Sequence, residues 1–215
     1  MTLTYDLFWS FRSPYSYLVT QRLLELERDF DAKANVRPVY PIALRIDGFF
    51  KTVNPLWWSY LRRDVARMAE MLGLPYVPPN PDPIVMDLTS GEVAKEQPYI
   101  ARLTRLGVAA AERGNGLELL KEVSAVIFGG TRDWHLGDHL ARAVARSGLD
   151  LAQLDRAIET DADRCEATIA DNEAAQNAGH WGVPLMVFEG EPFFGQDRFE
   201  TLKWRMTQKG LKRRA

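Results

Sequence analysis

An α/β fold interrupted by a large all-helical insertion is the architecture the sequence predicts, and three observations carry it. Residues 1–40 read as strand, helix and strand; the middle repeats apolar residues at helical spacing; and the last 40 or so residues read as a short hairpin and a helix. The expected division is 1–54 with 161–215 for the α/β part and 55–160 for the helical insertion.

Taken in order, Tyr5 to Phe11 is a nearly continuous apolar, aromatic run of strand length. Tyr15, Leu18, Val19, Leu23 and Leu26 then recur at helical spacing, with Thr20, Gln21, Arg22, Glu25 and Arg28 opposite them. Asn35 to Tyr40 alternates as a second strand, and Pro38, which has no N–H for a ladder, places it at a sheet edge. Ile42 to Asn54 lacks a period and carries Phe49 and Phe50, so it reads as an aromatic-bearing loop. Trp57, Leu61, Val65, Met68 and Leu72 form the next helical stripe, which Gly73 ends. Pro75, Pro78, Pro79, Pro81 and Pro83 exclude regular structure and call for an extended segment draped over the surface or a cleft. Helical stripes resume around Ile100 to Leu106, Leu117 to Ile127, Leu140 to Val144, Leu154 to Ile158 and Cys165 to Ile169. Leu185 to Phe188 and Pro192 to Phe194 flank Glu189-Gly190 as a hairpin. A final helix carries Phe199, Leu202 and Met206, Asp197 and Glu200 have capping-box spacing before it, and the basic tail Lys209 to Ala215 is expected to fray.

Composition narrows the function classes. With 46% hydrophobic residues and a net charge of −2, acids and bases are mixed along the chain, and no basic stripe points to nucleic acid or an anionic membrane. No apolar stretch approaches a membrane span and the first residues lack the layout of a secretion signal, so a cytoplasmic location is expected. Cys165 stands alone, which rules out an internal disulfide and a C-x-x-C pair; His135, His139 and His180 have no metal-ligand spacing, and no metal is expected.

The stretch with chemical promise is Ser13-Pro14-Tyr15-Ser16, between the first strand and the first helix. Ser13 occupies the N-cap position and Pro14 the first helical one, so free backbone N–H groups point out of the turn and favour an anion. Taken alone, Ser13 is a helix cap, Asn54 a turn residue before Pro55, Asp197 a cap, and Phe49, Phe50, Trp57 and Trp58 core packing.

The segment from Asp6 to Leu18, together with Gly182-Val183-Pro184 and Gly195-Gln196-Asp197-Arg198, resembles the 2-hydroxychromene-2-carboxylate isomerases and kappa-class glutathione transferases, within the wider DsbA-like group. The resemblance implies a thioredoxin-like fold and a homodimer. It implies glutathione as cofactor, bound at Ser13, Val183, Pro184, Gln196 and Asp197. In disulfide oxidoreductases of this fold the equivalent turn carries Cys-Pro-X-Cys; with Ser13 and Ser16 at both positions, dithiol exchange is impossible there. A borrowed thiolate would instead take a hydrogen bond from Ser13, a cis Val183-Pro184 bond would expose backbone to the cysteinyl part, and Gln196 and Asp197 would hold the γ-glutamyl end. Ser13 and Asn54 are the implied catalytic residues, and the four aromatics would stack on a planar aromatic substrate. Where the family has a lysine after the asparagine this chain has Trp57 and Trp58, with Lys51, Arg62 or Arg63 as candidate replacements. The implied activity is isomerisation of an unsaturated aromatic carboxylate or carbonyl by reversible thiolate addition; conjugate-releasing transfer and non-catalytic binding are the alternatives.

Overall fold

A computed structural model describes residues 2–87 and 89–214. A four-stranded mixed sheet holds β1 (Leu3–Trp9), β2 (Ala32–Pro38), β3 (Leu185–Phe188) and β4 (Glu191–Phe194) in the order β2-β1-β3-β4. β1 and β2 are parallel, joined by the helix α1 (Pro14–Asp29), and the hairpin pairs antiparallel on the other side of β1. Pro38 lies on the edge strand, where its missing N–H costs no ladder bond.

Both leading strands begin earlier than their apolar runs suggest. β1 pairs from Leu3 to Trp9 and ends there, where the Ser10 carbonyl accepts the Ser13 N–H and turns the chain out of the ladder. Phe11 is buried in the core from within that turn. β2 begins at Ala32, whose methyl and that of Ala34 face inward and give too little hydrophobic contrast to mark the strand. The aromatic loop is also more regular than expected: it folds into two single turns, α2 (Ile42–Arg45) and α3 (Phe49–Thr52).

The helical part runs through α4 (Pro55–Leu72), α5 (Pro98–Glu112), α6 (Gly116–Phe128), α7 (His139–Arg146) and α8 (Leu151–Thr160), and returns to the sheet through α9 (Ala162–Asn177). Gly73 ends α4 with φ +65, a left-handed conformation that costs glycine little. α1 packs on α6 and α4, and α5 packs on β2 and α9. Residues of the sheet and of the helical part share one buried core, with Trp9, Leu18, Leu23, Leu106, Leu120, Phe128 and Met186 inside it. The proline-rich segment does drape: Val77 N–H bonds the Phe128 carbonyl, the Tyr17 hydroxyl bonds the Pro75 carbonyl, and Asp82 pairs with Arg12.

Two expectations at the C-terminus are corrected. Asp197 does not cap the last helix, α10 (Phe199–Gln208); it lies inside a 3-10 turn, Gln196–Arg198, and Arg198 precedes α10 without a side-chain cap. The tail is docked rather than frayed up to Arg214. Asp31 N–H bonds the Lys212 carbonyl, Arg214 N–H bonds the Asp29 carbonyl, and Leu211 packs against the core. A short basic tail shows no periodicity, so these backbone pairings left no mark in the sequence. Among the described residues, no helix is long and apolar enough to cross a membrane.

Candidate functional site

The turn that starts α1 is held by its own cap. Ser13 is extended, and its Oγ accepts the Ser16 N–H at 3.2 Å. The same hydroxyl donates to the Val183 carbonyl at 3.3 Å, a long bond that links the turn to the loop before β3. Pro14 has no N–H, and the Tyr15 N–H has no acceptor among the described residues. The Ser16 hydroxyl is buried without a partner among the described residues. Cys165, the chain's one cysteine, lies buried in α9 with its thiol pKa raised by burial.

The Val183–Pro184 bond is cis, and the Val183 N–H has no acceptor among the described residues. The loop that carries it is clamped from the helical side. Gln176, fully buried on α9, donates to the Gly182 carbonyl at 2.7 Å and accepts from Arg45 at 3.0 Å; Arg45 also reaches the Trp181 carbonyl at 2.9 Å. Burial lowers the pKa of the Arg45 guanidinium, which makes these acceptors matter. His180 accepts the Gly182 N–H on Nδ1 at 2.9 Å and stacks on Phe194, ring centroids 3.8 Å apart; burial lowers its pKa. A Cβ at Gly182 would sit 2.4 Å from the Phe194 ring, so any larger residue there has to displace that ring.

The Pro184 carbonyl accepts the Gly195 N–H at 2.9 Å, and this bond carries the chain on to Gln196 and Asp197. Gln196 is buried, and Arg22 of α1 bonds both its backbone carbonyl, at 3.0 Å, and its Oε1, at 2.5 Å, leaving the amide nitrogen for the cleft. Asp197 is exposed, 3.6 Å from Arg198. Gly195, Gln196, Asp197 and Arg198 form one wall of an open cleft of about 780 Å³, whose other wall is Tyr15, Tyr60, Asp64 and Met68; Ser13, Val183 and Pro184 do not line it. Tyr15 donates to Asp64 at 2.6 Å, so one of the two residues between the serines ties α1 to α4. Burial, and then the Asp64 carboxylate, raise the Tyr15 pKa. Burial opposes charge on Asp64, yet hydrogen bonds from Tyr15 and Arg67 hold its pKa below the usual range.

The structure therefore joins Ser13, Val183, Pro184, Gln196 and Asp197 through direct bonds or adjacency. Asn54 stands apart: it is exposed, and its side chain accepts the Leu56 N–H at 3.0 Å as the N-cap of α4. Phe49, Phe50, Trp57 and Trp58 pack edge-on or tilted against one another, and Trp181 from the Val183 loop joins Phe49 with centroids 6.1 Å apart. Lys51, Arg62 and Arg63 are exposed and do not line the cleft; Arg198 does. Sequence reading missed Arg22, Arg45, Gln176 and the Tyr60-Asp64-Met68 face. Only the last left a signal, its i, i+4, i+8 spacing on α4.

Among the described residues, no group of histidines, cysteines and carboxylates is arranged to hold a metal. A solved 2-hydroxychromene-2-carboxylate isomerase superposes with a TM-score of 0.70 at 21% identity, over 96% of this chain and 95% of that one. A probable DsbA oxidoreductase from Streptomyces coelicolor gives 0.65 at 18%, over 96% and 89%. The cytosolic disulfide reductase DsbM from Pseudomonas aeruginosa, in its structure with GSH, gives 0.59 at 17%, over 95% and 100%. These likenesses show the fold. No curated protein sequence matches the chain. The profile of the DSBA-like thioredoxin domain matches residues 4–207, nearly the whole length, and the chain belongs to that family.

Proposed function

We propose that the protein is a glutathione-dependent isomerase acting on an unsaturated aromatic carboxylate or carbonyl. The observation that carries this reading is the Ser13 turn. A serine hydroxyl, not a thiol, stands at the N-terminus of α1 and touches the carbonyl beside a cis-proline, while Cys165 is buried elsewhere. The site keeps what favours a thiolate and lacks a thiol of its own.

Glutathione fits the groups available. The free Val183 N–H suits a peptide carbonyl, the Gln196 amide nitrogen and Asp197 suit the carboxylate and ammonium of a γ-glutamyl end, and Arg198 adds a cation. When bound, it supplies the thiolate nucleophile for addition to an unsaturated carbon conjugated to a carbonyl, and leaves again after rotation about the resulting single bond. Ser13 keeps its Oγ fixed through the Ser16 N–H while its proton turns from the distant Val183 carbonyl toward negative charge at the turn. The dipole of α1 acts in the same direction. Asn54 has its Oδ1 engaged by its own helix, which leaves the amide N–H groups for orienting a substrate. Trp57 and Trp181 offer partly exposed ring surface for a planar substrate. The same reading makes the protein a cytoplasmic homodimer, for which sedimentation should return twice the 24.4 kDa chain mass.

The test is thermal unfolding with reduced glutathione for wild type and Ser13→Ala, beside a pH titration of thiolate absorbance. Glutathione at 100 times its dissociation constant should stabilise the wild type by about 2.7 kcal/mol. The bound thiol should ionise one to two units below its ordinary value of about 8.5, and Ser13→Ala should abolish most of that shift. No stabilisation at millimolar glutathione rejects the reading. With an electrophile present, recovery of free thiol marks an isomerase, and a released thioether marks a transferase.

A further inference from the structure

Arg12 directly precedes Ser13 in the turn that starts α1. Its side chain is 17% exposed and its counter-ion is Asp82 on the proline-rich segment. Asp82 accepts from Nε at 3.1 Å and from Nη2 at 2.9 Å, which uses the side-on edge of the guanidinium. The end-on edge is free: Nη1 has no acceptor among the described residues. The guanidinium also lies over the Phe50 ring, 5.1 Å from its centroid, at the border of the aromatic group that includes Trp57, Trp58 and Trp181. A cation locked on one edge, open on the other and next to a cluster of aromatics is a preorganised receptor for a carboxylate carried on a flat ring.

We propose that Arg12 is the specificity-determining residue of this site. It binds the carboxylate of a planar aromatic substrate through the free end of its guanidinium, while Asp82 holds it in place and offsets part of its charge. The proposal rests on the reading that the Ser13 turn is the reaction centre. Asp82, though not Arg12, lines an open pocket of about 340 Å³ with Ile84, Met86 and Tyr99. A charge-assisted hydrogen bond of this kind favours an anion over its neutral isostere by about tenfold or more.

The experiment is calorimetric titration of the full chain, without glutathione, with 2-naphthoate and with the neutral 2-naphthamide. The wild type should prefer the acid about tenfold, and Arg12→Gln should bring the ratio to one. Asp82→Asn should raise it severalfold, because its amide oxygen still accepts from Arg12 but no longer offsets its charge. A purely structural ion pair predicts otherwise: both variants lose thermal stability and neither changes the ratio. Equal wild-type affinities, no binding of either probe, or a preference that survives Arg12→Gln overturns the proposal. Glutathione is absent from these titrations, so failure to bind it would overturn the thiol reading alone.

Discussion

Replacing Gln176 with leucine removes two hydrogen bonds at nearly constant volume and isolates the clamp on the Val183 loop. Gln176 is 0% exposed, and its Nε2 donates to the Gly182 carbonyl at 2.7 Å while its Oε1 accepts from Arg45 at 3.0 Å. Leucine leaves the Gly182 carbonyl without its donor and the burial-destabilised Arg45 with two acceptors, the Tyr40 and Trp181 carbonyls. An unsatisfied buried polar group costs about 1–3 kcal/mol and a lost bond to a charged group about as much, so the sum is roughly 2–6 kcal/mol. For a chain of this size that lowers the unfolding midpoint by about 4–24 °C. Binding should suffer too. If one loop residue must be re-ordered when glutathione arrives, its cost of about 1–2 kcal/mol corresponds to roughly a five- to thirtyfold weaker affinity. Thermal unfolding followed by circular dichroism and a calorimetric glutathione titration measure both. A variant with a wild-type midpoint and wild-type affinity would refute the clamp.

Three further outcomes follow from the same loop and its neighbours. Gly182→Ala should expel the Phe194 ring from its stack on His180 and cost about 1–3 kcal/mol, and most of the penalty should go in a Phe194→Ala background, where the new methyl meets only the His180 ring at 3.3 Å. His180 has a folded pKa below its ordinary value of about 6.5, so as the pH falls below that value the unfolded chain takes up the proton first and stability declines. His180→Asn, which keeps an acceptor for the Gly182 N–H without titrating, should show a flatter midpoint between pH 7 and roughly pH 5. Asn54→Asp preserves a good N-cap for α4 but replaces the amide donors, so an unchanged midpoint with a lowered kcat is expected; equal loss of both would reduce Asn54 to a cap.

The sequence by itself determined the order of elements, the hairpin with its Glu189-Gly190 turn, the edge position of β2 and the helix start at Ser13. Each of these rests on local chemistry that leaves a mark: alternation or helical spacing of apolar side chains, a turn residue, a proline, a cap. It also marked Val183-Pro184 and Gln196-Asp197 as worth placing beside Ser13. Tertiary structure alone decided what holds those three stretches together. Arg22 reaches Gln196 from α1 over 174 positions of sequence, Arg45 and Gln176 fix the Val183 loop from two helices, and Asp82 returns from the proline-rich segment to Arg12. Such contacts join polar side chains far apart in the chain, have no periodicity, and look in the sequence like ordinary solvated residues. The capping box at Asp197 failed for a related reason: the bond from Gly195 N–H to the Pro184 carbonyl ties down the approach, and the chain makes a 3-10 turn before α10 begins. The cap at Ser13 was legible because it is made within four residues; the company it keeps was not, because folding supplies it.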